Sequence, residues 1–526
     1  MAYKAFDAVV IGAGHNGLAA AIHLARHGWS VGVFEAKGEA GGAVKTRELT
    51  RPGFRHDLAA MNLSMFAGSP FLREHGEALG RHGLAFTPAE HCFSSVFPDA
   101  TWFGVSKTLG TTLSRLRALN SKDADAWAAL LQRFGGDAPH IFGLLGSAMP
   151  SYAAAKVVWK AWREKGTAWT YDMLRFLLTS TRTWADSHFE NPKVKATLAA
   201  WGMHLDFPPD VSGGALFPYL ESMANQAFGM VIGKGGADTM IKAMVAYLKE
   251  LGGEVHLNAP VAQIEQSAGS ADGVVLGNGT RITARKVVIA NVTPALLFGK
   301  LLPQGSGNAA ADEKFRKFRP GPGTMMIHLA LDAPLAWKAS TELSQFAYVH
   351  IAPTYDYMTR AYTQAMDGQL PEAPVVVVGQ PTAIDPSRAP AGKHIAWLQV
   401  RVLPKHVAGD AAGKITSHDW ASIKEAYADR VLDIIESYAP GTRGKILGRA
   451  VFSPDDLEAE NPCLVGGDNL SGSHHLDQNF LFRPIAGYSR YKMPLGRLYM
   501  CGAATWPGAG TGAGSGYLLG KMLAGQ

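Results

Sequence analysis

Apolar residues switch between two spacings along this chain, and the changeovers mark its elements. Residues 8–11 read Ala-Val-Val-Ile, an unbroken apolar run of the kind a strand shows when both of its faces are buried. Residues 12–17 read Gly-Ala-Gly-His-Asn-Gly, and an alanine-rich run with helical spacing follows. A second short strand is predicted over 30–34, closed by Glu35. From about 70 to 225 the pattern is helical and rich in Ala, Leu and Trp, with turns at Gly135-Gly136, Pro139, Pro192 and Pro208-Pro209. A new unit starts at Gly233-Lys234-Gly235-Gly236. It comprises a helix over 237–251 and strands over 254–257, 261–266, 273–276 and 286–290. Strands over 324–331, 374–378 and 394–402 and a helix over 420–438 come next. A strand over 498–501, a glycine-rich turn and a helix ending near Leu523 close the chain.

This order predicts an α/β protein. A Rossmann-type nucleotide domain is assembled from three separated pieces, 1–70, 225–300 and 455–526. Residues 71–224 and 301–454 form an α+β substrate domain, a mixed or antiparallel sheet with a helical portion. At 526 residues the chain is long enough for two cores.

The first strand, turn and helix have the spacing of a dinucleotide site. Gly12 permits the tight turn, Gly14 lets backbone approach a pyrophosphate, and Gly17 lets helix and strand pack closely. The helix N-terminus offers N–H groups and positive potential to phosphates. Glu35 stands where a carboxylate accepts ribose hydroxyls and repels a 2′-phosphate. At the other end six glycines fall between Gly502 and Gly516, more than a surface loop needs given their entropic cost.

Composition narrows the partners. The 59 glycines exceed the usual share of about 7%, and with a formal charge of +6 and no Lys/Arg block no nucleic-acid partner is expected. Cys92, Cys463 and Cys501 are far apart with no CxxC pair, which argues against a disulfide framework or a structural zinc and for a reducing compartment. The expected location is therefore cytoplasmic, the membrane surface included. No signal peptide is expected, because the first residues run straight into the dinucleotide strand, and no apolar run is long enough to span a bilayer. His474 and His475 are adjacent and would diverge rather than chelate, so no metal is expected.

The N-terminal fingerprint, the Gly41-Gly42 loop, residues 53–57 (Gly-Phe-Arg-His-Asp), Gly235-Gly236, residues 287–294 and the whole tail occur in an order that resembles the phytoene-desaturase-like branch of the FAD-dependent oxidoreductases. That superfamily also holds the amine oxidases. Residues 476–484, Tyr491, Pro494 and 498–510 are most similar to the pyridine nucleotide-disulphide oxidoreductase domain-containing subgroup. The likeness covers nearly the full chain and is weakest over 100–220. Two positions depart from the family: Trp506-Pro507-Gly508 replaces His-Pro-Gly, and Ala43 stands where an Arg is common. The resemblance implies FAD as cofactor. It implies pyrophosphate contacts from Ala13, Gly14 and Asn16, with ribose on Glu35 and adenine against Ala36 and Val261. The flavin would meet Gly42, Ala43, Gly502, Ala503, Gly512 and Ala513.

A flavin takes the hydride itself, so the protein supplies position, electrostatics and sometimes one acid or base. Candidates for that work are His56, Lys234, His475 and Arg483, each on a motif expected near the flavin, while Trp506 would stack on the ring or wall a pocket, or equally be ordinary core. Asp57 is expected to fix its loop. Residues 139–165 mix apolar, aromatic and basic side chains, which suits a helix lying on a membrane surface, and still more readily a solvated face over a helical core. The Met and aromatic content of 171–230 fits an apolar tunnel or plain packing. The expected activity is FAD-dependent desaturation or dehydrogenation of a hydrophobic, isoprenoid- or lipid-like small molecule. The alternatives are an amine or N-heterocycle oxidase and a non-catalytic flavin-binding interaction protein.

Overall fold

The computed structural model describes residues 4–525. Strand β1 (Lys4–Ile11) passes through the glycine turn into helix α1 (His15–Arg26) and returns as β2 (Val31–Phe34). The two strands pair in parallel, Ala8 opposite Val31 and Ile11 opposite Phe34. The sheet runs Val261–Ser267, Ser270–Leu276, Arg281–Ala290, β1, β2, Glu254–His256, and Leu498–Met500 adds in parallel to Arg281–Ala290. Three distant stretches of chain therefore share one sheet. Its central strands are covered on both faces, which is why their sequence is continuously apolar. Ala8 and Val10 pack on one side with α1 and the helices Asp238–Glu250 and Gly514–Leu523. Phe6, Val9 and Ile11 pack on the other with Phe298 and Phe315.

A second sheet runs Ile446–Phe452, Gly323–Leu331, His394–Leu403, Val375–Gly379, Tyr348–Ile351, His91–Val96, Trp102–Ser106. It is mixed, because Tyr348–Ile351 and His91–Val96 are parallel while its other pairs are antiparallel. The helix Trp420–Tyr438 packs on one face; the helix Pro192–Gly202 and its neighbours cover the other.

The stretch 70–225, expected to be helical, contributes two strands to this sheet. Cys92 to Val96 are all buried, so the period of two that would announce a strand is absent. Two long helices follow. In α2 (Tyr152–Leu178) only Ala154 and Ala161 are buried, and Gly166 breaks the axis with φ 84°. Val158, Trp159, Trp162 and Tyr171 of α2 are each about half exposed or more. No helix among the described residues is long and apolar enough to cross a membrane. Helix α3 (Leu216–Phe228) ends at Gly229, whose φ is 79°.

Candidate active site

The site grows from the first turn of α1. Gly12 has φ +92°, and a Cβ there would lie 3.0 Å from the Asn291 carbonyl oxygen. A Cβ on Gly17 would come within 2.5 Å of the Gly12 carbonyl oxygen, so helix and turn close only around glycine. Gly14 precedes the helix in extended conformation with no side chain capping it. The first-turn N–H groups therefore have no side-chain acceptor, which is the arrangement an anion fills. Glu35 follows β2 directly; its Oε2 accepts from the Ala13 N–H at 2.8 Å and its Oε1 from the Lys37 N–H at 3.0 Å. Ala36 beside it is exposed and Val261 half-buried.

The paired-glycine loop lies against this turn. Gly41 N–H donates to the Ala13 carbonyl at 2.9 Å, and a Cβ on Gly42 would sit 3.4 Å from the Gly14 Cα. Behind the loop Lys45 is buried and meets Glu460 at 2.6 Å, and Arg47 joins them, also 2.6 Å from Glu460. Burial opposes ionisation of Glu460, yet Arg47 and Lys45 hold its carboxyl down to about 2. No Arg is needed after the glycines for the loop to be pinned by charge.

The tail completes the ring. Helix α4 (Gly514–Leu523) begins after Ala513, which is left-handed at φ 58° and supplies no capping side chain. Asn16 Oδ1 accepts from the Gly516 N–H at 3.2 Å, and His15 Nε2 lies 3.1 Å from the Gly510 carbonyl oxygen. The first turns of α1 and α4 thus meet, bringing two positive helix ends together. Gly502 N–H donates to Ser515 Oγ at 3.1 Å. Within these buried stretches Gly12, Gly14, Gly42, Ala43, Ala503 and Gly512 stay partly accessible. Glycine clearances, the uncapped first turn of α1 and Glu35 fit a dinucleotide flavin.

Asn291 was not singled out from the sequence, and it joins all three segments. Its Nδ2 lies 3.3 Å from the Gly12 carbonyl oxygen, and a Cβ on Gly502 would stand 3.1 Å from its Oδ1. The only sequence signal was its place directly after a buried strand.

The acid–base candidates fare differently. His56 is fully buried, bonded through Nε2 to Thr50 Oγ1 at 2.8 Å and edge-on to His328 at 5.3 Å. Burial, reinforced by Arg388, lowers its pKa to about 3, so it is a neutral core group. Asp57 beside it pairs with the buried Arg388 and accepts from Thr46 Oγ1 and the Ala237 N–H, fixing the loop as expected. Lys234 is exposed. His475 Nε2 bonds the Asp206 carbonyl at 2.6 Å. Arg483 is fully buried and donates only to backbone carbonyls, among them Ala503 at 2.8 and 3.0 Å and Ser473 at 2.9 Å; it positions the tail. His474, also unassigned from the sequence, accepts the Ala509 N–H at 3.1 Å and anchors the same loop. Trp506 is 1% exposed, donates Nε1–H to the Ser147 carbonyl at 2.9 Å and packs 5.7 Å from Phe480. It is core rather than a pocket wall. Trp506→Phe is accordingly expected to cost about 2 kcal/mol or more in thermal unfolding, because the buried Ser147 carbonyl loses its donor and the smaller ring leaves space in the core. The visible flavin spectrum should not move; a spectral shift without destabilisation would return the indole to the flavin.

Among the described residues, His23, Glu74 and His75 form one grouping with metal-ligand geometry. Its carboxylate is already engaged by Tyr517 Oη at 2.5 Å and Arg26 at 3.4 Å.

The sequence pattern of the flavin-containing amine oxidoreductases matches residues 17–515. The chain belongs to that family. It is 29% identical to pyridine nucleotide-disulfide oxidoreductase domain-containing protein 2 of Rattus norvegicus, across 96% of this chain and 91% of that one. It is 26% identical to the neurosporene-forming phytoene desaturase of Rhodobacter capsulatus, across 98% and 93%. An oxidoreductase structure from Methanosarcina mazei superposes with a TM-score of 0.62 at 19% identity, covering 99% of this chain and all of that one. The protein is thus an FAD-dependent oxidoreductase of the amine oxidase and phytoene desaturase type, and the reading as a non-catalytic flavin scaffold falls away.

Proposed function

We propose that this flavoenzyme dehydrogenates an apolar small molecule, removing hydride from a carbon. The observation that carries this reading is the meeting of the α1 and α4 first turns through Asn16 and Gly516. FAD, when bound, accepts the hydride. The chain does the rest. The α1 N-terminus and Glu35 would hold the pyrophosphate and ribose, and the N-terminus of α4 would favour charge at the ring edge. Ala43 of the paired-glycine loop packs against a large buried apolar cluster, which suits an apolar substrate. The matched relative named as a phytoene desaturase supports a substrate of this class. The exposed aromatic residues of α2, interspersed with Lys156, Lys160, Arg163 and Lys165, are where we place contact with an anionic lipid surface on the cytoplasmic side. The domain division read from the sequence is proposed to hold: nucleotide domain 1–70, 225–300 and 455–526, substrate domain 71–224 and 301–454.

The test is anaerobic mixing of the yellow holoprotein with apolar alkenes, alcohols and amines carried in anionic vesicles. Loss of the visible flavin band with one class is expected, as is co-sedimentation with the vesicles. Protein that binds no FAD, or flavin that none of these classes reduces, would sink the proposal.

A further inference from the structure

Helix α1 and the tail helix α4 stay in contact well behind the flavin-side turns. A Cβ on Gly520 would stand 2.9 Å from the His23 Cβ, and the Tyr517 and His23 rings meet edge to face at 5.4 Å. His23 follows Asn16 by two helical turns, about 10 Å along α1. The helix Pro70–Arg81 closes the third side and brings Glu74 and His75 to the same place.

Both imidazoles are buried, and the Glu74 side chain keeps 31% of its surface exposed. One ligand atom from each of the three residues lies within 4.8 Å of the other two. Glu74 Oε1 stands 3.9 Å from His23 Nδ1 and 3.7 Å from His75 Nε2. These gaps are too wide for hydrogen bonds, and His75 Nε2 is buried with no hydrogen-bond partner. They are close to the spacing a metal sets, since bonds of about 2.0–2.1 Å in a tetrahedron put ligand atoms about 3.3 Å apart. Small side-chain rotations bridge the difference.

The surroundings suit an ion. Burial pushes the His75 imidazole down to about 4, so at neutral pH it is in the uncharged form that binds metals. Tyr517 Oη donates to Glu74 Oε2 at 2.5 Å. Such an outer hydrogen bond orients a metal-ligating carboxylate, and it leaves Oε1 facing the histidines. Arg26 is the competitor, with Nη1 3.4 Å from Glu74 Oε1 and 3.3 Å from His75 Nδ1. Its side chain is 44% exposed, so it can turn into solvent when another cation takes the carboxylate.

We propose that His23, Glu74 and His75 form a binding site for a divalent transition metal of the zinc class, with the fourth tetrahedral position left to water. Two imidazoles and one carboxylate favour such an ion over Mg2+ or Ca2+, which take oxygen ligands. The ligands come from α1 and from the helix Pro70–Arg81, and Tyr517 ties in α4. The ion therefore fastens together the two helices whose first turns meet at Asn16 and Gly516. The site is separate from the flavin and does not rest on the reading of the reaction.

The experiment is calorimetric titration of the chelator-treated holoprotein with Zn2+ and with Mg2+, with the melting temperature followed alongside. Zn2+ should bind one site per chain and raise the melting temperature as its concentration rises, and Mg2+ should do neither. Co2+ in the same site should give absorption bands to the red of the flavin. His75→Phe and Glu74→Gln should each weaken Zn2+ by about tenfold or more. Arg26→Gln should tighten it by about tenfold, because a competing positive charge is gone, and a misfolded protein cannot produce that gain. A wild type that binds no Zn2+ would overturn the proposal, as would a response to Mg2+ equal to that to Zn2+. So would equal Zn2+ affinity in the wild type, Glu74→Gln and Arg26→Gln proteins.

Discussion

Gly516→Ala is expected to give a protein that purifies colourless or nearly so, with a sharply lowered melting temperature. A Cβ at that position would stand 1.7 Å from the Asn16 carbonyl oxygen, 2.6 Å from its carbonyl carbon and 2.9 Å from its Cα. All three are backbone atoms of α1, so no rotamer change relieves the contact. The helices must move apart, and close-packed interiors resist such movement. Separation also breaks the Gly516 N–H bond to Asn16 and displaces Ser515, which holds Gly502 and meets Thr505 Oγ1 at 2.5 Å. The two helix ends that would hold the cofactor's charged parts would no longer converge. Overpacking typically costs about 1–3 kcal/mol, and a collision of backbone with backbone belongs at or above the top of that range. Gly110→Ala is the matched control: a Cβ there meets nothing within 4 Å, and alanine in a helix is favoured by about 1 kcal/mol over glycine. Flavin per chain from the visible band and melting by circular dichroism read both variants. A yellow Gly516→Ala protein of normal stability would mean that the ends of the chain do not meet as described.

The parts of the site that could be read from sequence are those whose physics is local. The β1 turn, α1 and Glu35 declare themselves because a buried strand, glycines at forced turns and a carboxylate at a strand end all lie within 30 residues. The tail was legible because six close glycines carry an entropic cost that only a close backbone approach offsets. Asn291 was not legible, since its role exists only once residues 12 and 502 are brought to it. His56 misled for the same reason. A histidine next to a motif suggests chemistry, and only the fold reveals Thr50 and His328 around it and no route to solvent. The strand His91–Val96 was missed because burial on both faces erased its alternation.

Arg483 illustrates how an ionisable residue at such a site can act without touching the reaction. Its guanidinium is fully buried, and no carboxylate forms an ion pair with it among the described residues. Burial lowers its pKa to about 10, with Asp468 opposing, so it remains a cation at neutral pH. The charge is satisfied by carbonyl oxygens. Ser471 and Ser473 lie on one segment, at 3.1 and 2.9 Å, and Ala503 lies on the flavin-side turn at 2.8 Å. The planar fork of donors reaches both segments at once, which a lysine cannot do. Arg483→Met keeps much of the volume and leaves these buried acceptors without donors, each costing about 1–3 kcal/mol. A loss of about 3 kcal/mol or more in unfolding free energy is expected, together with faster release of FAD as Ala503 loses its tether. Arg483→Lys should fall between the two, because it retains charge but spans fewer carbonyls. Denaturant unfolding and the rate of FAD release give the two readouts. A positioning role requires them to change together, in the order wild type, Lys, Met. If Arg483→Lys instead kept full stability and bound FAD yet lost turnover, the guanidinium would have to contact the reacting molecule, and its carbonyl cage would be the wrong description of its role.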